Sequence, residues 1–168
     1  MIKLIAMDID NTITSYKNLI PKRNIRAIKK AVSQGVKIVL ASGRPEASII
    51  EVARRLGIEK DCYIVSFNGA RVRYLPQNRI LFNSNLSDEC VNLLLQLSKE
   101  ENIFMHTYKD NFVITEKNNF YSRLEAKLIK FKIKEVKKLT DEINGSDVIK
   151  VLLLQSPKKL KAASERIL

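Results

Sequence analysis

The sequence predicts an α/β protein: a doubly wound parallel sheet followed by a second, smaller α/β module. Three observations carry that class. Apolar strand-like runs alternate with helical periods over residues 1–82. Those runs are continuously apolar, the pattern of parallel strands covered on both faces. The rhythm then changes near residue 83, so the domains are placed at 1–82 and 83–168.

The elements follow in order. Residues 2–7 form a β-rich apolar run. From Lys22 to Gln34, Ile25, Ile28 and Val32 recur at spacings of three and four, on one helical face, and Gly35 ends the period. "VKIVLA", residues 36–41, is a second strand. Pro45 to Leu56 carries Ile49, Val52 and Leu56 on one face before Gly57, and "CYIVSF", 62–67, is a third strand. Strand–helix alternation of this kind is Rossmann-like.

After Asn68-Gly69, Val72 and Tyr74 alternate with arginines, and Ile80 and Phe82 answer them across "LPQN". That reads as a β-hairpin leaving the parallel sheet. Ser87 then caps a helix with Asp88 and Glu89 in its first turn, and Val91, Leu94, Leu95 and Ser98 continue its period. "IFMHTY" and "FVIT" are short strands flanking residues 109–111, a helix runs over about 121–130, and "DVIKVLLLQ", 147–155, is another strand. Ser156-Pro157 opens a last helix.

With 168 residues and 45% hydrophobic content, the chain can bury a core. Its longest apolar runs fall far short of the ~20 residues that span a bilayer, so no membrane segment is expected. Cys62 and Cys90 lie far apart without a Cys-x-x-Cys pair or a signal peptide, and are read as reduced thiols of a cytoplasmic protein. The net charge is +12, but its lysines are spread along helix faces, in "KRNIRAIKK", "KLIKFKIKEVKK" and "PKKLKAASER". A solvated basic surface that draws in anionic substrates is therefore expected in place of nucleic-acid binding.

The chemistry starts at "AMDIDNT", residues 6–12, where an apolar run meets two acids. Asp8 and Asp10 would stand at the carboxyl end of a parallel strand, where α/β proteins open their ligand crevice. Alternate positions project into the same space, and two close carboxylates repel unless a hard cation lies between them or one holds a proton. Mg²⁺ suits the first case, since it uses one or two carboxylates and keeps positions for water and phosphate. One carboxylate could attack phosphorus while the other moves protons. The alternative is a plain turn capped by Asp8, with Thr12 and Thr14 in the same network.

"ASGRP", residues 41–45, follows the second strand at once. It sets the Ser42 hydroxyl and the backbone of Gly43 and Arg44 at the mouth of a helix, where N–H groups and the dipole favour an anion. An N-cap made by Ser42 would account for that residue alone. A hydroxyl and a helix start beside two metal-binding acids are what a transferring phosphoryl group requires.

"DIDNT" followed by "ASGRP" resembles motifs one and two of the haloacid dehalogenase superfamily, and "FNGA" with a later α/β insert resembles its Cof-type sugar-phosphate phosphatase branch. The resemblance implies that Asp8 is the nucleophile and Asp10 the general acid and base. It implies Mg²⁺ held by the Asp8 side chain and the Asp10 main-chain oxygen, with the phosphoryl group at Ser42. Asn11, Thr12, Gly43, Arg44, Asn68 and Gly69 would line the phosphate or substrate site, Arg44 reaching substrate unless it makes a surface ion pair. Residues 83–168 would form a cap that closes over substrate. His106, the only histidine, falls in a cap strand and is expected in a core or surface role, with a substrate contact as the alternative. The family's usual glycine after the second acid is Asn11 here, a mild departure because Asn tolerates left-handed backbone.

The family pattern also includes a later lysine and a Gly-Asp pair, and no Gly-Asp pair occurs in these 168 residues. The expectation is a Mg²⁺-dependent hydrolase that removes phosphate from small, sugar-phosphate-like metabolites through an aspartyl-phosphate. This segment alone is expected to be weak or inactive, since losing one electrostatic donor costs on the order of 10²–10³ in rate. The alternative is a non-catalytic phospho-ligand-binding or interaction module. Three parallel strands are few for a sheet, so the core is expected to be incomplete on its C-terminal side, with the first strand an exposed edge open to self-association.

Overall fold

The computed structural model describes residues 2–15, 18–143 and 148–167. The chain divides into two compact units, Met1–Ser84 and Asn85–Leu168.

The first unit runs β1 (Leu4–Asp8), α1 (Lys22–Ser33), β2 (Lys37–Ala41), α2 (Glu46–Leu56), β3 (Cys62–Ser66), β4 (Arg71–Tyr74) and β5 (Arg79–Asn83). The five strands form one sheet in that order. β1, β2 and β3 are parallel, and β4 and β5 turn back antiparallel as the hairpin pattern predicts. The α/β, Rossmann-like class is the observed one, and β1 lies at the sheet's edge among the described residues.

The parallel strands are covered less evenly than their continuous hydrophobicity predicts. Ile38, Leu40, Cys62 and Ile64 are fully buried on one face, with Ile28 of α1 and Ile49, Val52, Ala53 and Leu56 of α2. The other face is only half-buried at Val39, Ala41, Tyr63 and Val65, and Leu4 is 53% exposed. The cause is connectivity. β1, β2 and β3 step in one direction, and right-handed crossovers then set both helices on the same side. Apolar composition alone cannot say which face a helix will take. Cys62 is part of this core; burial, then Asp61 and Glu59, push its thiol up to about 12. Both cysteines are free, and Cys90 is half-buried.

The second unit carries a four-stranded sheet in the order β8-β7-β6-β9. Its elements are α3 (Asp88–Glu100), β6 (Phe104–Lys109), β7 (Phe112–Thr115), α4 (Phe120–Ile129), β8 (Lys132–Glu135), α5 (Leu139–Ile143), β9 (Val151–Leu154) and α6 (Pro157–Ile167). The Ser87 hydroxyl accepts the Cys90 N–H at 3.2 Å, the expected cap of α3. Asn119 and Ser122 exchange bonds as a capping box that starts α4. The predicted 147–155 strand is shorter, and its first residue lies outside the described residues. The helix face expected along "KLIKFKIKEVKK" ends at Ile129, and Lys132–Glu135 form β8 instead; at four residues, and five in α5, such elements are too short to display a period.

Two apolar clusters lie on opposite faces of this sheet. Val91 and Leu95 meet Met105, Leu139 and Ile143, while Val113, Ala126 and Ile129 meet Tyr108, Phe131 and Ile133. His106 is 2% exposed, a core residue. Its Nε2 has no hydrogen-bond partner among the described residues, and the Tyr108 ring stands edge-on at 5.6 Å. Burial, then the Lys150 charge, push His106 down to about 4. Among the described residues, no helix is long and apolar enough to cross a membrane.

Candidate active site

The acids sit where the sequence places them, at the exit of β1. The chain leaves Asp8 in a wide turn over Ile9–Ile13, closed by the Thr14 N–H to the Ile9 carbonyl at 2.9 Å. The Thr14 hydroxyl donates to the same carbonyl at 3.0 Å, and the Asn24 amide donates to the Ile13 carbonyl at 3.0 Å. Ile9 and Ile13 are buried in the core, whereas Asp8, Asp10, Asn11 and Thr12 are exposed. Hydrophobic burial therefore pins the turn from below and leaves both acids on its solvent side. Asn11 has φ +60°, the left-handed conformation that the family's glycine would also supply.

Strand register brings the second motif alongside. Asp8 pairs with Ala41, and Ala41 with Val65, so β1, β2 and β3 end level with one another. Ser42 is thus the first residue beyond β2, its N–H donating to the Val65 carbonyl at 3.0 Å. Its hydroxyl does not cap α2, whose N-cap is Pro45. It accepts the Arg44 N–H at 3.2 Å instead, folding 42–44 into a tight turn.

The third loop closes over that turn. The Phe67 N–H donates to the Arg44 carbonyl at 3.1 Å and the Asn68 N–H to the Ser42 carbonyl at 3.3 Å. Phe67, Asn68 and Gly69 all have positive φ, at +52°, +59° and +100°. Left-handed backbone at a bulky Phe is strained, and such strain persists where surrounding bonds over-determine it. A Cβ on Gly43 would meet Asn68 Oδ1 at 3.0 Å and Nδ2 at 3.1 Å, so the absent side chain is what lets the two loops touch.

Within the site, Thr12 donates its hydroxyl to Asp8 Oδ2 at 3.3 Å. Arg44 binds Asp10 with two nitrogens and reaches Ser48 Oγ at 3.3 Å and Asn18 Oδ1 at 3.4 Å. Its guanidinium is therefore engaged with protein acceptors, chiefly the half-exposed Asp10 carboxylate, which is the ion-pair alternative.

Residues 5–168 match the family model for haloacid dehalogenase-like hydrolases. The chain belongs to the haloacid dehalogenase-like hydrolase family. A haloacid dehalogenase-like hydrolase from Bacteroides thetaiotaomicron has a similar structure, with TM-score 0.93 and 28% identity over 99% of this chain and 63% of that one. A Streptococcus pyogenes serotype M6 relative is 27% identical over 169 residues, covering 99% of this chain and 62% of its own. The phosphatase YwpJ of Bacillus subtilis is 26% identical over 116 residues, 69% of this chain and 40% of its own length. The chain thus spans roughly two-fifths to two-thirds of the length of these relatives. A HAD subclass IIB sugar phosphatase shares the fold, with TM-score 0.75 and 18% identity over 97% of this chain and 62% of that one.

The haloacid dehalogenase-like site can be tested against Mg²⁺ by its donors. Asp8 and Asp10 are hard oxygen ligands of the kind Mg²⁺ takes, and two carboxylates suffice when water and phosphate fill the remaining positions. Among the described residues no group of three or more His, Cys, Asp or Glu side chains could form a cage. With the Asp10 carboxylate held by Arg44, the Asp8 carboxylate is the one of the two that would bind a metal through its side chain. The donors fit a partly hydrated Mg²⁺.

Several residues at this site escaped the sequence reading. Ser48 and Asn18 accept from Arg44, and Arg71 and Arg73 pair with Glu46 at the start of α2. The one available signal was the alternation of arginines with Val72 and Tyr74, which puts Arg71 and Arg73 on a single face of β4.

Proposed function

We propose that this chain supplies the nucleophile and the phosphate-binding turns of a Mg²⁺-dependent phosphatase acting on small phosphorylated metabolites. The observation that carries this is the level ending of β1 and β2, with Asp8 opposite Ala41 and Ser42 next in line. The Asp8 carboxylate attacks phosphorus as the bond to the ester oxygen breaks, leaving an aspartyl-phosphate. The departing oxygen takes a proton from Asp10; water then gives a proton back to Asp10 as it displaces Asp8 and releases inorganic phosphate. Asp10 draws that first proton from solvent on an oxygen lone pair left beside its Arg44 bonds, which hold the carboxyl in place for the transfer. The Ser42 hydroxyl, which accepts the Arg44 N–H, keeps its own proton for a non-bridging oxygen. Mg²⁺, held by the Asp8 carboxylate and the Asp10 carbonyl, would neutralise phosphate charge.

The fold shared with a sugar phosphatase supports a sugar-phosphate-like substrate, with residues 83–168 serving as the cap module. A cytoplasmic setting, no nucleic-acid partner and self-association through the β1 edge belong to the same reading. With two carboxylates and one of them engaged, turnover by this chain alone is slow. That engagement also favours a second reading, a phospho-ligand binder without turnover.

The test is phosphate release from small esters with and without Mg²⁺, beside ester binding by calorimetry, for the chain and Asp8→Asn. Mg²⁺-dependent release that disappears in Asp8→Asn is expected. Release that survives in Asp8→Asn overturns the mechanism, and tight binding without release in the unaltered chain selects the second reading.

A further inference from the structure

The start of α2 is held by a buried ion triad that the chemistry above does not use. Glu46, the first residue of α2, is 9% exposed. Arg71 Nη1 lies 3.1 Å from its Oε2, and Arg73 pairs through Nε with its Oε1. The two arginines face the same way from β4, in register with Ser66 and Ile64 of β3, on the side that α2 covers. Each is fixed a second time. Arg71 Nε donates to Asn83 Oδ1 at 2.7 Å, and Arg73 Nη1 donates to the carbonyl and side chain of Asn78 at 2.9 and 2.7 Å.

Such a triad is a poor way to gain stability, because desolvating three charges offsets most of their attraction. An exposed acid would serve the helix N-terminus equally well. What burial and two guanidinium partners, one of them forked, do supply is a fixed location. Pro45, with φ −60°, is the sole residue between Glu46 and Arg44, and its ring allows little play. The Arg44 carbonyl is anchored on its other side by Phe67. Guanidinium position at Asp10 therefore follows from carboxylate position at Glu46.

We propose that Glu46, Arg71 and Arg73 are positioning residues: their triad sets the start of α2 so that Arg44 meets Asp10 and the Ser42 turn stays level with Asp8. The effect on rate rests on the phosphatase reading; the effect on the Arg44–Asp10 contact does not.

The experiment uses the full chain with Glu46→Gln and Arg73→Lys, the latter keeping the charge but losing the fork. Water exchange of the Arg44 Nε–H, assigned by its loss in Arg44→Lys, is read by NMR, and kcat and KM are read with p-nitrophenyl phosphate and Mg²⁺. Exchange faster by about tenfold or more is expected in both variants, as the bond to Asp10 opens more often. A fall in kcat of about 10- to 100-fold with KM changed less than about twofold accompanies it. Unchanged exchange and kcat, with only a lower urea midpoint, would overturn the proposal. If the unaltered chain releases no phosphate, the phosphatase reading fails and exchange alone decides the triad: faster supports it, unchanged overturns it. If Glu46→Gln does not fold, Arg73→Lys decides by the same readouts.

Discussion

Arg44 grips both oxygens of Asp10, with Nε 3.0 Å from Oδ2 and Nη2 2.6 Å from Oδ1. The two ends differ in exposure: the arginine side chain is 11% exposed and the aspartate 49%. The guanidinium is thus part of the wall, with Ser48 and Asn18 as further acceptors, and the carboxylate is the partner able to leave.

The pair should therefore be modest in energy and specific in geometry. Arg44→Lys, which cannot make the fork, is expected to lower stability by about 1 kcal/mol. A double-mutant cycle with Asp10→Asn should give a coupling of roughly 0.5–1 kcal/mol that shrinks in high salt, as for a half-exposed ion pair. Urea unfolding of the four proteins at low and high salt measures both. A coupling near zero at low salt would mean that the contact contributes nothing to the fold.

Gly43 and Asn68 make a steric prediction. A methyl at Gly43 meets the Asn68 amide at 3.0–3.1 Å, inside ordinary contact distance. Gly43→Ala should cost about 1–3 kcal/mol, as overpacked sites do. Asn68→Ala, by vacating that space, should recover much of the loss when the two are combined. The check is again a cycle of unfolding free energies, and simple additivity of the two substitutions would refute the contact.

His106 sets a pH dependence. It is neutral in the fold, its pKa lowered from 6.5 to about 4, so the unfolded chain binds the proton more readily. Stability from this group is fully present above about pH 6.5, declines as pH falls, and is lost once pH passes below about 4. The total is on the order of 3 kcal/mol. Because carboxylates titrate over part of the same range, the quantity to follow is the difference in unfolding free energy between the wild type and His106→Leu. That difference should shift against the wild type between about pH 7 and pH 4; a flat difference would show a histidine that titrates normally.

Much of this molecule was legible in its residues, for definable reasons. Ile25, Ile28 and Val32 had to share a helical face, and Ser87 had to cap, because period and hydrogen-bond chemistry are local. The acids and Ser42 could be located at strand ends for the same reason. What distant parts of the chain decide was not readable. Glu46 looks like any first-turn acid until Arg71 and Arg73, 25 and 27 residues on, fold back against it. Arg44 could be aimed at substrate or at protein, and Asp10, 34 residues away, settles its partner. The short β8, with Ile133 as its one half-buried apolar residue, carries too little pattern to announce itself.

Ile9, between the two exposed acids, and Ile13 both anchor in the core, so the turn is bolted to the same oily interior that stabilises the sheet. A ligand geometry built this way has no independent hinge. Trimming a methyl group in that interior, at Ile28 or Leu40, would register at the surface as a shift of carboxylates, without touching a charged residue.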